Sequence, residues 1–167
     1  MAQGKRNDPT VEPSEADYWY AAGFVDGEGC ITVRESGTTS GHQAKLRGWN
    51  PSWYASVTIS QVDPRPLQWM QARWGGSLRP MRTRRERERP AWEWAIVGQQ
   101  AYRFLDGVLF MLKCKDAQAR NALWLRGLRS GRGRGLTAED IAARQSIRDE
   151  AIRLNRLGQF WRELPEV

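Results

Sequence analysis

The sequence predicts an α+β fold: one four-stranded antiparallel sheet with helices on one face and a polar face left open. Three observations carry this. Three short stretches alternate apolar and polar residues with a period of two. No stretch shows the continuous apolar run of a strand buried on both faces in a parallel sheet. The order along the chain is helix, two strands, helix, two strands, then helices. The 167 residues suit a single domain, long enough to bury a core without disulfide or metal staples. Nine tryptophans argue for a folded core.

Taken in order, residues 1–13, with Pro9 and Pro13, read as a flexible tail. Residues 14–129 form the core, with Ser14 as N-cap of the first helix and Asp17 at its capping-box position. The helix EADYWYAAGFVD ends at Gly27 and Gly29. CITVRES follows as a strand, then a glycine-containing loop over 36–51. SWYASVTIS alternates again, with Trp53, Ala55, Val57 and Ile59 on one side and Ser52, Tyr54, Ser56, Thr58 and Ser60 on the other. Pro64 opens a second helix, PRPLQWMQARW, stopped by Gly75 and Gly76. A third strand is expected around 77–84 and a fourth at AWEWAIV, with Trp92, Trp94 and Ile96 inward. QQAYRFLDGVLFMLK reads as the third helix and DAQARNALWLRGLRS as the fourth. Residues 130–136 form a basic linker. A C-terminal helical extension of the same domain, 137–167, starts with Thr137 as N-cap and Asp140 completing a capping box.

The charge is unevenly placed. The formal net charge is +7, and 22 of the 26 basic residues are arginine. Residues 1–30 are acidic on balance, with two basic side chains against six acidic ones. Residues 79–89 hold six arginines against two glutamates, and 113–135 hold seven basic side chains against Asp116. A face of this kind suits a polyanion, and arginine suits bidentate contacts to phosphate and guanine edges. The open sheet face carries Thr32, Arg34, Ser36, Tyr54, Ser56 and Thr58, joined by Arg79, Arg82, Arg84 and Arg85 from the third strand. A curved sheet with such a face fits a DNA groove. The chain has no run of about 20 apolar residues to span a membrane, and its start lacks the apolar region of a secretory signal. Cys30 and Cys114 are too few for a disulfide framework, and no Cys/His cluster suggests zinc. These features point to an intracellular protein in a reducing compartment.

The stretch Ala21-Ala22-Gly23-Phe24-Val25-Asp26-Gly27-Glu28-Gly29 carries the chemistry. Gly23 and Gly27, four apart on one helix face, let a second helix approach closely, and Tyr20 and Phe24 flank that contact. Two helices paired this way bring their C-terminal ends together. Each end presents the Glu28 carboxylate and the Gly27 carbonyl, oxygen ligands suited to Mg²⁺. Asp26 reads as the cap of the helix end. Cys30 reads either as a free thiol toward the open face or as a small buried side chain.

This stretch resembles the signature of the LAGLIDADG homing endonucleases, matching it at Ala22, Gly23, Asp26 and Gly29. Phe24 and Val25 are conservative variants. Ala21, Gly27 and Glu28 depart from the pattern, and Glu28 replaces an aspartate with a longer acid. The resemblance spans about residues 15–128 and is to the single-motif type, with its helix-strand-strand-helix-strand-strand-helix core and saddle-shaped DNA-binding sheet. It implies a homodimer making a staggered double-strand break in a long pseudo-palindromic DNA target, with Mg²⁺ as cofactor and Mn²⁺ able to substitute. It further implies that Gln61 positions the water and Lys115 polarises it, with Arg65 four residues after Gln61. Lys113 competes for the role of Lys115, and Arg65 has the alternative of a plain surface charge. An intron-encoded or intein-associated origin, in a bacterium, a phage-infected cell or an organelle, goes with the family. The competing reading is an RNA-splicing maturase or a non-cleaving DNA-binding regulator on the same fold. His42, the only histidine, lies in the loop between the first two strands as a phosphate contact or solvent residue.

Overall fold

The computed structural model of the chain describes residues 8–36, 51–81, 90–128 and 136–157. Within them the order is α1 (Glu15–Glu28), β1 (Gly29–Ser36), β2 (Ser52–Gln61), α2 (Pro64–Trp74), β3 (Ser77–Pro80), β4 (Trp92–Val97), α3 (Gln99–Val108), α4 (Asp116–Gly127) and α5 (Ala138–Leu157). The four strands form one sheet in the order β1-β2-β4-β3, every neighbour antiparallel.

The start of α1 follows from its cap. The Asp17 backbone N–H donates to the Ser14 hydroxyl at 3.3 Å, and the Ser14 N–H donates to the Asp17 carboxylate at 2.8 Å. Its end follows from close packing. The Gly29 N–H donates to the Val25 carbonyl, and a Cβ at Gly29 would sit 2.8 Å from that oxygen. Only glycine lets β1 leave the helix this tightly. Gly76 is likewise obligatory: its φ is +89°, and a Cβ would meet the Ala95 carbonyl at 2.5 Å.

The core lies between the sheet and the helices. It gathers Ala21, Ala22 and Val25 of α1, Ile31, Val57, Ile59, Trp94 and Ile96 of the sheet, and Leu67, Met70, Phe104, Leu105 and Val108 of the other helices. An aromatic chain runs through it: Tyr18 on Trp74, Trp74 on Phe104, and Phe104 on Trp94, all edge-on at 5.2–5.8 Å. Trp94 can be fully buried because its indole N–H donates to the Gly75 carbonyl at 2.8 Å. A Cβ at Gly107 would lie 2.3 Å from the Tyr18 ring, so this glycine sets how closely α3 approaches α1.

Several boundaries differ from expectation. Residues 8–13 are not loose: the N–H groups of Thr10 and Val11 both donate to the Ala72 carbonyl, holding this segment on α2. The third helix stops at Val108 instead of running to Lys113, and the N–H groups of residues 113–115 donate to the Asp26 side chain of α1 rather than to carbonyls of their own helix. The fourth stops at Gly127, where Leu128 turns extended. The third strand spans Ser77–Pro80, and the remainder of its expected length, from Arg82 on, lies outside the described residues. So do the glycine-containing loop over 37–50, the basic linker up to residue 135 and the extension after 157.

α5 starts with the expected capping box between Thr137 and Asp140. It lies against β1 and α4: Asn155 donates to the Ile31 carbonyl at 2.9 Å, Asn121 donates to the Ile147 carbonyl at 2.9 Å, and Ala151 is buried.

Candidate functional site

Two places gather the residues singled out by sequence: the C-terminal end of α1 and the open face of the sheet. At the first, the chain folds back over a long sequence separation. The Asp26 carboxylate accepts three backbone N–H groups, from Lys113 at 2.7 Å, Cys114 at 3.2 Å and Lys115 at 3.0 Å. The Lys115 ammonium in turn donates to the carbonyls of Val25 at 2.8 Å and Asp26 at 2.7 Å. α1 has no basic residue in its own last turn, so Lys115 supplies the cation that the negative end of the helix favours.

This corrects one expectation. Asp26 does not cap its own helix, whose last carbonyls are met by Gly29 and Lys115; its carboxylate caps the segment leading into α4. Between the two lysines, the side chain of Lys115 is turned to α1, while Lys113 is exposed. Burial pushes the Lys115 ammonium below the usual lysine pKa, opposed chiefly by the Asp26 carboxylate and more weakly by Glu28 and the nearby cysteines. Glu28 is exposed, at the last position of α1. Cys30 and Cys114 are both exposed free thiols, so the buried alternative for Cys30 does not hold.

The register brings Gln61 near this place. Gly29 pairs with Ile59, so the end of β2 lies beside the junction of α1 and β1. Arg65 follows on the first turn of α2, and it is already engaged. Its guanidinium and backbone N–H both bind Asp63, the N-cap of that helix. Arg65 holds the Asp63 carboxyl down to about 2. The sequence DPRP carries a signal for this, since Asp before a helical proline is a common N-cap.

The stripe of α1 that faces away from the core is apolar and uncovered. Tyr20 is 54% exposed, and Phe24 is half-buried. Gly23 and Gly27 are exposed, and a methyl group placed on either would have nothing within 4 Å among the described residues. Trp69 of α2 stacks edge-on against Tyr20 at 4.9 Å, extending the surface sideways.

The open sheet face follows from the register. Thr32 pairs with Ser56 and Ser56 with Val97; Cys30 pairs with Thr58, Thr58 with Ala95 and Ala95 with Ser77. Arg34 is exposed opposite Tyr54, and Thr32, Tyr54 and Thr58 are half-buried. Ser36 is tied to Ser52 across the strand pair through their hydroxyls. Arg79 is exposed but paired with Glu93 at 3.0 Å. Ser56 departs from expectation. It is 1% exposed and the shortest side chain in its row, between Thr32 and Val97. Its hydroxyl is buried and has no partner among the described residues. Arg82, Arg84, Arg85 and His42 lie outside the described residues.

Among the described residues no group of three or more His, Cys, Asp or Glu side chains could hold a metal ion. One chain brings one exposed carboxylate, Glu28, to the end of α1, because that of Asp26 is taken up by three backbone N–H groups. A carboxylate there is a hard oxygen donor of the type Mg²⁺ takes, and by itself it does not complete a site. No helix among the described residues is long and apolar enough to cross a membrane.

Solved homing endonucleases share this fold. The chain aligns with I-CvuI, in a complex with the I-CreI target left uncleaved at 2 mM Mg, at 21% identity and a TM-score of 0.64, over 84% of this chain and 82% of that one. It aligns equally with I-CvuI bound to its own target in 2 mM Ca, at a TM-score of 0.65. The archaeal intron-encoded homing endonuclease I-Vdi141I, complexed with DNA, gives 16% identity and a TM-score of 0.62 over 84% of each chain. No protein-family model and no curated protein matches the chain. The fold is that of the LAGLIDADG homing endonucleases.

Proposed function

We propose that the chain is a site-specific DNA endonuclease that works as a symmetric pair of copies. The observation that carries this reading is the convergence of Lys115 on the end of α1 that bears Glu28. The solved proteins of this fold, seen in complexes with DNA, support the choice of substrate.

In this reading the open stripe of Tyr20, Gly23, Phe24 and Gly27 packs on the same stripe of a second copy, because small residues let the backbones approach. The two Glu28 carboxylates then lie side by side, an arrangement that needs cations between them. Glu28 and the Gly27 carbonyl of each copy would hold Mg²⁺, or Mn²⁺ in its place. Bound there, the ion activates water and neutralises charge on the departing oxygen. Gln61 orients the water from the end of β2. The Lys115 ammonium, with two of its three hydrogens on α1 carbonyls, points the third at a phosphate oxygen or the attacking water. Thr32, Arg34, Tyr54, Thr58 and Arg79 line the duplex, with Arg82, Arg84 and Arg85 extending the basic face. Ser36 donates to DNA only by giving up Ser52, whereas Arg65, which engages Asp63 through Nε and Nη2, keeps its Nη1 donors for a phosphate. The product is a staggered break across the minor groove with short 3′ overhangs, in a pseudo-palindromic target. Two exposed thiols suit a reducing, intracellular setting.

The test is selection of cleaved duplexes from a randomised library in Mg²⁺, with Glu28→Gln alongside. The native chain should enrich one pseudo-palindromic site, and Glu28→Gln should bind that site without cutting it. If neither protein cuts any duplex while both bind structured RNA or uncut DNA, the maturase or regulator reading replaces this one.

A further inference from the structure

We infer that Asp26 is a positioning residue for Lys115, gripping it at both ends and fixing which lysine serves the site; this rests on the endonuclease reading above. The contacts make the case. The Asp26 carboxylate takes the Lys115 backbone N–H at 3.0 Å, and the Asp26 backbone carbonyl takes the Lys115 ammonium at 2.7 Å. A lysine side chain is a flexible four-carbon stem, and fixing its rotamers costs entropy. Anchoring both its root and its tip to one residue removes that freedom before any substrate arrives.

The same carboxylate also sets the register. It takes the N–H groups of Lys113 and Cys114 as well, at 2.7 and 3.2 Å, so three consecutive donors lock the segment. A slip by one residue would present Cys114 to the α1 carbonyls, and a slip by two would present Lys113. The alternative role, a cap for α1 itself, is excluded by partners lying 87–89 residues further along the chain. The other alternative is a staple that holds α4 in place and does nothing for the chemistry. The two differ in how Asp26 and Lys115 combine.

The experiment is a double-mutant cycle on the full chain, cutting its selected target in Mg²⁺ under single turnover at saturating protein. The variants are Asp26→Ala, Lys115→Ala and the pair. A misplaced group can slow a reaction by about a hundredfold, so Asp26→Ala should approach Lys115→Ala, and the double variant should be no slower than Lys115→Ala alone. Target binding in Ca²⁺ should stay near the native value in all three. Multiplying effects, or native-rate cleavage by Asp26→Ala, would overturn the inference. Should Asp26→Ala fail to fold, Asp26→Asn takes its place in the cycle; it keeps one oxygen acceptor and should fall between native and Lys115→Ala.

A second measurement needs no cleavage. Labelling of amines by an acylating reagent, read by mass spectrometry on the free protein, should be slow at Lys115 and speed up in Asp26→Asn, with Lys113 unchanged. Equal Lys115 labelling in native and variant overturns the grip of Asp26. A native chain that cuts no DNA while the labelling behaves as expected overturns the nuclease reading and, with it, the chemical role given to Lys115.

Discussion

The two sides of α1 use the same kinds of residue for opposite ends. Toward the core, Ala21, Ala22 and Val25 are sealed against the sheet. On the far side, Gly23 and Gly27 are equally small, yet nothing among the described residues comes within reach of a side chain there, and Tyr20 beside them is exposed. A helix meant only for this chain would place polar residues there. The difference teaches that small residues mark a close approach, and that only the contacts say whether the approach is to the chain's own sheet or to something outside it.

The largest effect expected from breaking this comparison is on the sealed side. Ala22→Asp buries an unpaired carboxylate and should cost several kcal/mol, enough to unfold the chain, as circular dichroism would show. The open side should respond with two opposite signs. Gly23→Ala meets open space, so the isolated helix gains about 0.5–1 kcal/mol from the lost glycine. The same methyl should hold two copies apart. Denaturant melts of the dilute protein should therefore shift up, while sedimentation shows weaker association. A variant that associates as tightly as the native chain would show that this stripe is not where copies meet.

The sheet offers a second comparison, between two exposed arginines on its open face. Arg34 faces outward opposite Tyr54, whereas Arg79 is held by Glu93. Arg34→Ala should weaken DNA binding and lower the slope of log affinity against log salt by about 0.9, the loss of one phosphate contact. Glu93→Ala should do the reverse. It frees the Arg79 guanidinium, so non-specific binding strengthens and the slope steepens by up to the same amount. A titration series from low to moderate salt on a random duplex reads both.

Much of the fold is legible in the sequence, and each legible part has a local cause. Period-two alternation marks β1, β2 and β4, since each buries one face and not the other, whereas the short β3 buries no residue. The capping boxes at Ser14 and Thr137 mark two helix starts. Helix ends are less readable. α3 stops at Val108 while Asp26, on another element, takes the N–H groups of residues 113–115, and no local pattern announces a distant acceptor. The same holds at the site. The family resemblance singles out Glu28, Gln61 and Lys115, but the contacts of Asp26 emerge only where two segments 87–89 residues apart meet. Charge counts treat Arg65 and Arg79 as free cations because they ignore partners, and each has one.

The smallest effect is expected at Ser56, and it separates alternation from exposure. By alternation Ser56 belongs to the open face, and by burial it belongs to the interior. An unpartnered buried hydroxyl carries a desolvation penalty of about 1–3 kcal/mol. Ser56→Ala removes that group and leaves almost no void, so stability should hold or rise slightly. DNA affinity and its salt slope should not move at all. Equilibrium unfolding and the same salt titration decide the matter. A loss of affinity in Ser56→Ala would mean that the side chains around it part when DNA binds and that the hydroxyl finds its missing partner on the duplex. No change would mean that the centre of the sheet is closed and that reading of the duplex falls to the arginines at its edges.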